Sequence, residues 1–180
     1  MNSHLANRRR RRVLAGTAVA AACIASSIPS ASAAATHPGI YFPSCASNSL
    51  FVYMGTDWGN FTAINFINIS TTPCWLEGYP GVAYSEGDPN LTVGLPAVQE
   101  SPSTSVEVEL APGDIAHAEL ILKDAGGYPP AECHYVDTSH LVVYPPGSNV
   151  PIQISYPSDT CALLNFPTLF IETVQTGASN

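Results

Sequence analysis

Few residues in this chain are spaced for chemistry. Ala83-Tyr84-Ser85-Glu86-Gly87 has the A-x-S-x-G form of a nucleophile elbow, in which a sharp strand-to-helix turn lifts a serine into an active site. No helical pattern follows it, and the run Ser85-Glu86-Gly87-Asp88-Pro89-Asn90 reads as a hairpin loop. The pairs Glu107/Glu109 and Glu86/Asp88 would serve a glycosidase only if two acids faced each other across a cleft. Their spacing reads instead as solvated faces. Beyond the leading segment the histidines are His37, His117, His134 and His140, and they form no H-x-H or H-x-x-x-H pair. Converging across a loop, His134 and His140 would suit copper or zinc; the competing reading is two surface residues flanking a disulfide. His37 would complete a square-planar Cu(II) or Ni(II) chelate only if the mature chain began at Ala35. The expectation is a protein that is not an enzyme, with no catalytic residue, no cofactor and no metal ligand set.

Aromatic residues suggest binding instead. Trp58 sits in the glycine-rich stretch Met54-Gly55-Thr56-Asp57-Trp58-Gly59-Asn60-Phe61, and Trp75 follows Cys74. Exposed indoles beside Asp57 or Glu77 would stack on sugar rings or peptide. Trp58 and Trp75 are the candidate ligand contacts, with core burial the competing reading and the favoured one for Trp75. Three N-x-S/T sequons, at Asn60, Asn68 and Asn90, matter only on a glycosylating secretory route.

The elements that position these residues begin with an export signal. Arg8 to Arg12 form a basic run, Val13 to Ile24 an apolar one, and Ala31-Ser32-Ala33 a small-residue cleavage site. The apolar run is too short to span a bilayer, so residues 1–33 are expected to be cleaved and no transmembrane span to remain. Ala20-Ala21-Ala22-Cys23 weakly resembles a lipoprotein box, which makes lipid anchoring at Cys23 the minor alternative to free secretion. The signal carries every arginine. Residues 34–180 keep one cation, Lys123, against fourteen carboxylates, a formal charge of −13. Such a surface has nothing to exchange for the counterions of a phosphate backbone, which excludes nucleic acid as a partner.

Cys45, Cys74, Cys133 and Cys161 remain after cleavage, an even set in an exported chain and therefore two disulfides. The four cysteines allow three pairings that sequence alone does not separate. Cys45 with Cys74 and Cys133 with Cys161 is favoured, because each closes a loop of about thirty residues between neighbouring strand candidates, worth roughly 3 to 4 kcal/mol by loop entropy. A four-cysteine metal site lacks any C-x-x-C spacing.

Short runs rich in β-branched and aromatic residues recur at 49–54, 61–69, 81–84, 104–110, 115–122, 140–144, 150–155 and 167–174, separated by Pro, Gly, Asn and Asp. In Ser105-Val106-Glu107-Val108-Glu109-Leu110, the apolar residues alternate with glutamates that point to water. In 115–122, Ala116, Ala118, Leu120 and Leu122 read as the core side. Pro112-Gly113 has the composition of a type II turn, and Pro80-Gly81 the same. The pattern predicts one all-β domain over 45–180, preceded by a short segment 34–44: an antiparallel β-sandwich of roughly seven to nine strands.

The runs 59–84 and 108–122, then Cys133, the stretch 140–148 and Cys161, resemble the domain-of-unknown-function 4232 family of exported actinobacterial proteins. The resemblance rests on Gly59-Asn60, Asn68, Ser70, Cys74, Leu76, Gly78-Tyr79-Pro80-Gly81-Val82, Leu110, Pro112-Gly113, Ala116 and Pro145-Pro146. It extends from about Cys45 to the C-terminus. This chain departs at Trp75 and Glu77, where the family often has Thr or Arg. The resemblance implies a secreted or lipoprotein-type, immunoglobulin-like sandwich, and no activity. The expected function is that of a noncatalytic module, secreted or attached to the cell envelope, that binds an envelope glycan or a protein through loops around Trp58 and Trp75. The competing functions are a small secreted hydrolase and an envelope spacer with no small-molecule ligand.

Overall fold

The structure, a computed structural model, describes residues 41–100 and 104–179. The expected export signal over 1–33, Cys23 and His37 lie outside the described residues. Among the described residues twelve strands form: β1 (Leu50–Met54), β2 (Phe61–Asn68), β3 (Cys74–Leu76), β4 (Gly81–Ser85), β5 (Thr92–Val93), β6 (Val98–Gln99), β7 (Val108–Leu110), β8 (Ile115–Leu122), β9 (Tyr135–Tyr144), β10 (Ile152–Cys161), β11 (Leu169–Ile171) and β12 (Gln175–Thr176). The one α-helix among the described residues, α1 (Pro130–Cys133), is a single turn. Among the described residues no helix is long and apolar enough to cross a membrane.

Alternation drives the assembly. One sheet runs β1-β2-β8-β11-β6, with β12 also on β8; a second runs β10-β9-β4-β5; β3 and β7 pair as a ribbon. The longer strands of the two larger sheets turn every other side chain inward. Val52, Ile64, Phe66, Ala118, Leu120 and Leu169 from the first sheet meet Val82, Tyr84, Leu141 and Val143 from the second in one core. Both disulfides are the favoured pair, Cys45–Cys74 and Cys133–Cys161. The first ties the chain ahead of β1 to β3, where the Trp75 N–H donates to Pro43 O and the Cys45 N–H to Trp75 O. The second staples the entrance of β9 to the end of β10.

Asn68 joins β2 to its neighbours. Fully buried, its Nδ2 donates to Thr72 O and Leu110 O, each at 2.9 Å, and its Oδ1 accepts from the Ser70 N–H and Oγ. The sequon there is accordingly a structural asparagine, whereas those at Asn60 and Asn90 are exposed.

Several expectations need correction. Twelve strands replace the seven to nine expected, because four have only two or three residues outside any predicted run. The β6–β11 edge is parallel, an exception to the antiparallel pattern. Val106 does not face the core: it is 63 % exposed, since pairing with β3 begins only at Val108. Pro112-Gly113 does form its turn, with Gly113 at φ 89° and the Asp114 N–H on Ala111 O. Pro80-Gly81 does not. The left-handed residue there is Gly78, at φ 100°, and Gly81 opens β4, where a Cβ would meet Tyr144 Cβ at 3.3 Å.

Candidate functional site

The turn between β1 and β2 is set by Trp58-Gly59-Asn60-Phe61. The Trp58 N–H donates to Phe61 O and the Phe61 N–H to Trp58 O, closing a two-residue loop. Gly59 stands first in that loop at φ 65° while Asn60 keeps a negative φ, as a type II′ turn requires. The turn makes Trp58 and Phe61 a directly opposed pair with side chains on the same face. Both stay in water, at 77 % and 44 % exposure. The loop leans on the second sheet through a long contact, 3.4 Å, from the Tyr156 hydroxyl to Asp57 Oδ1. Burial, and then the Asp57 carboxylate, push the Tyr156 phenol up to about 12.

Register extends this face across the sheet. On the side away from the core, Phe61 lies opposite Ile121, Ile121 opposite Phe170, and Phe170 beside Val98, an apolar row from β2 to β6. In the next row Ala63 lies opposite Glu119. The β8–β11 register carried one residue further sets Glu172 opposite Glu119, and the Glu172 N–H donates to Glu119 O at 3.0 Å. Two half-buried carboxylates are therefore cross-strand neighbours on one face. In the third row, buried Asn65 lies opposite His117. There the segment after β12 crosses the face: Asn65 Nδ2 donates to Ser179 O at 3.3 Å, the Ser179 N–H donates to Asn65 Oδ1 at 3.1 Å, and His117 Nδ1 lies 2.9 Å from Gly177 O.

Between the Trp58 hairpin and this segment lies a groove of about 380 Å³, lined by Thr56, Trp58, Phe61, Thr62, Glu119 and Ser179. Two other concavities, each of about 460 Å³, have no aromatic lining. The first groove alone of these joins apolar rings to a carboxylate, the combination that holds a sugar or peptide group by stacking and hydrogen bonding.

The remaining candidates are elsewhere. Trp75 is half-buried beside Cys74, and its Nε1–H donates to Phe42 O at 2.8 Å. It is not in the groove, and neither is Glu77. Ser85 is fully buried, its Oγ donating to Asp88 O and accepting from the Gly87 N–H, which fixes it within the β4–β5 hairpin. His134 caps α1 in the left-handed region at φ 53°; His140 lies in β9, its Nδ1 2.7 Å from Ser139 Oγ. Among the described residues no three His, Cys, Asp or Glu side chains cluster to hold a metal. Tyr84 is buried in the core, where burial raises its phenol and the nearby Asp159 charge adds to it, while the hydrogen bond from Ser158 Oγ opposes.

Sequence reasoning singled out Trp58 and missed its partners. Alternation in β8 turned Glu119 outward, but no signal pointed to Phe61, Glu172, Asn65 or Ser179 as members of one face.

The chain matches no curated protein and no solved structure. The pattern of one family, described as Domain of unknown function (DUF4232), matches residues 45–175, from the first disulfide cysteine to the start of β12. That span holds the asparagine network, both disulfides, the hairpin and both glutamates, and the chain belongs to this family.

Proposed function

We propose that the protein is a noncatalytic extracytoplasmic module that binds envelope glycan in the Trp58 groove. The observation that carries this reading is an indole and a phenyl ring held in water by a two-residue turn, beside a carboxylate in a groove. Exposing two large rings costs solvation that a sugar's apolar face would recover. Two disulfides suit an oxidising compartment outside the cytoplasm.

A test uses the two tryptophans as their own control. Soluble peptidoglycan fragments should shift the emission of the folded protein to the blue and protect it from acrylamide. The Trp58→Phe variant, which retains only the half-buried Trp75, should show neither change. Fragments that leave the wild-type emission and quenching untouched would count against glycan binding.

The Glu119/Glu172 pair favours a second reading, a small hydrolase. Glycosidic cleavage needs carboxyl groups that flank the scissile bond, whereas these two rise side by side from one sheet face. Release of reducing sugar from the same fragments, lost in Glu119→Gln, would establish the hydrolase instead.

A further inference from the structure

The rings of the groove favour a sugar, and the charges around it narrow which sugar. Glu119 and Glu172 are opposed on β8 and the continuation of β11, joined by the Glu172 N–H on Glu119 O, so both side chains leave the sheet on the same side, next to the row that begins at Phe61. Like charges set directly across two strands destabilise a sheet. No lysine or arginine relieves them: Lys123 is the one such residue among those described, and its ammonium lies over the Tyr128 ring, 4.6 Å from the centroid. Of the other charged or titratable groups nearby, His117 is directed to the Gly177 carbonyl and Asp57 to the Tyr156 hydroxyl, while Glu100, carried one residue past β6 in the β6–β11 register, stands beside Glu172 and adds a third carboxylate. Residues 34–180 as a whole, these carboxylates included, carry a formal charge of −13, which repels anionic and attracts cationic ligands.

We propose that the glycan taken by this groove carries a free protonated amine, its ring seated on Trp58 and Phe61 and its ammonium on Glu119, which lines the groove, with Glu172 beside it just outside the lining. The proposal rests on the glycan-binding reading of the same groove. An ammonium presents three donors, enough to bridge two carboxylates, and aromatic faces attract cations as well as apolar sugar surface. A groove of about 380 Å³ lies within the usual range for small-ligand sites, roughly 300–1,000 Å³. Acetylating the amine would remove the charge and leave the stacking.

The test compares glucosamine oligomers with N-acetylglucosamine oligomers of equal length, followed by tryptophan emission of the folded protein. The amine form should bind about tenfold more tightly, a preference that weakens as salt screens the charges. Glu119→Gln with Glu172→Gln, both isosteric and on the face away from the core, should erase that preference, bringing affinity for the amine oligomer down to that for the acetylated one. Equal affinities in the wild type, or tighter binding of the acetylated form, would overturn the amine and leave glycan binding standing. No binding of either oligomer would overturn both. A lysine tripeptide that binds in a Trp58-dependent way, where neither oligomer does, would assign the ammonium to a protein partner and reject the sugar.

Discussion

Trp58 and Trp75 are the same residue in opposite mechanical situations. Trp75 sits in β3 next to the Cys45–Cys74 bridge, pairs with Glu109 across the ribbon, and spends its indole N–H on Phe42 O. Its polar atom is satisfied and its ring half-covered, so it serves the fold. Trp58 has a tight turn beneath it and water around it, at 77 % exposure. Large aromatics stabilise a fold most when buried with their polar atom paired; one held out by a tight turn adds little beyond its cross-strand pairing. The contrast is therefore between a ring that serves the scaffold and one that the proposed function makes a site, although both lie near acids and glycines in sequence.

The strongest way to break the contrast is to cut the Trp75 side loose. Replacing Cys45 and Cys74 together by serine opens a loop with a sequence separation of 29, and the fold should lose roughly 3 to 4 kcal/mol by loop entropy. Chemical denaturation measures the loss. If Trp58 is a site on an independent hairpin, ligand-induced changes in its emission should survive in the bridgeless protein wherever it remains folded.

A smaller perturbation sharpens the same comparison. Trp75→Phe keeps a ring but leaves Phe42 O without its donor, which should cost about 1 kcal/mol. Trp58→Phe should stay within about 0.5 kcal/mol of wild type, as exposed substitutions do, while abolishing the emission response to glycan fragments. Equal stability losses for the two variants would mean that Trp58 also supports the fold.

How much of this was legible depended on the range of the interactions. The inward set of β8 could be read from alternation because eight residues show a period of two. β5, β6 and β12 have two residues each and show no period at all. The first half of β9 and the last half of β10 carry Asp, Ser, Thr and Pro157, which hides them from hydropathy. Pro157 is tolerated because β10 is an edge strand whose register shifts between Ser155 and Ser158. The disulfides could be favoured from loop length, since each spans adjacent elements. The site could be read only at Trp58. Glu119 and Glu172 are 53 positions apart, and nothing short of the β8–β11 register makes them neighbours. Asn65, inside an apolar run, gives no hint that a peptide unit at Ser179 will satisfy its amide.

The finest test concerns how the Trp58 hairpin is moored, since it has no bridge like that beside Trp75. Its link to the second sheet is the contact of the Tyr156 hydroxyl with Asp57. In the fold, burial and then the Asp57 charge raise the Tyr156 phenol from 10.0 to about 12. A group whose pKa is raised by folding holds its proton longer in the native state, so its contribution is complete below about pH 10 and is lost as pH rises toward about 12. Above that window an ionised Tyr156 would face the Asp57 carboxylate, like charge against like. Stability should therefore fall with pH across this interval, and Tyr156→Phe, which has no proton to lose, should fall less steeply. Tyr84 is shifted in the same direction by burial, so the variant should retain part of the slope. Denaturation midpoints measured through the interval for both proteins read the difference directly, and parallel declines would show that the phenol does not moor the hairpin.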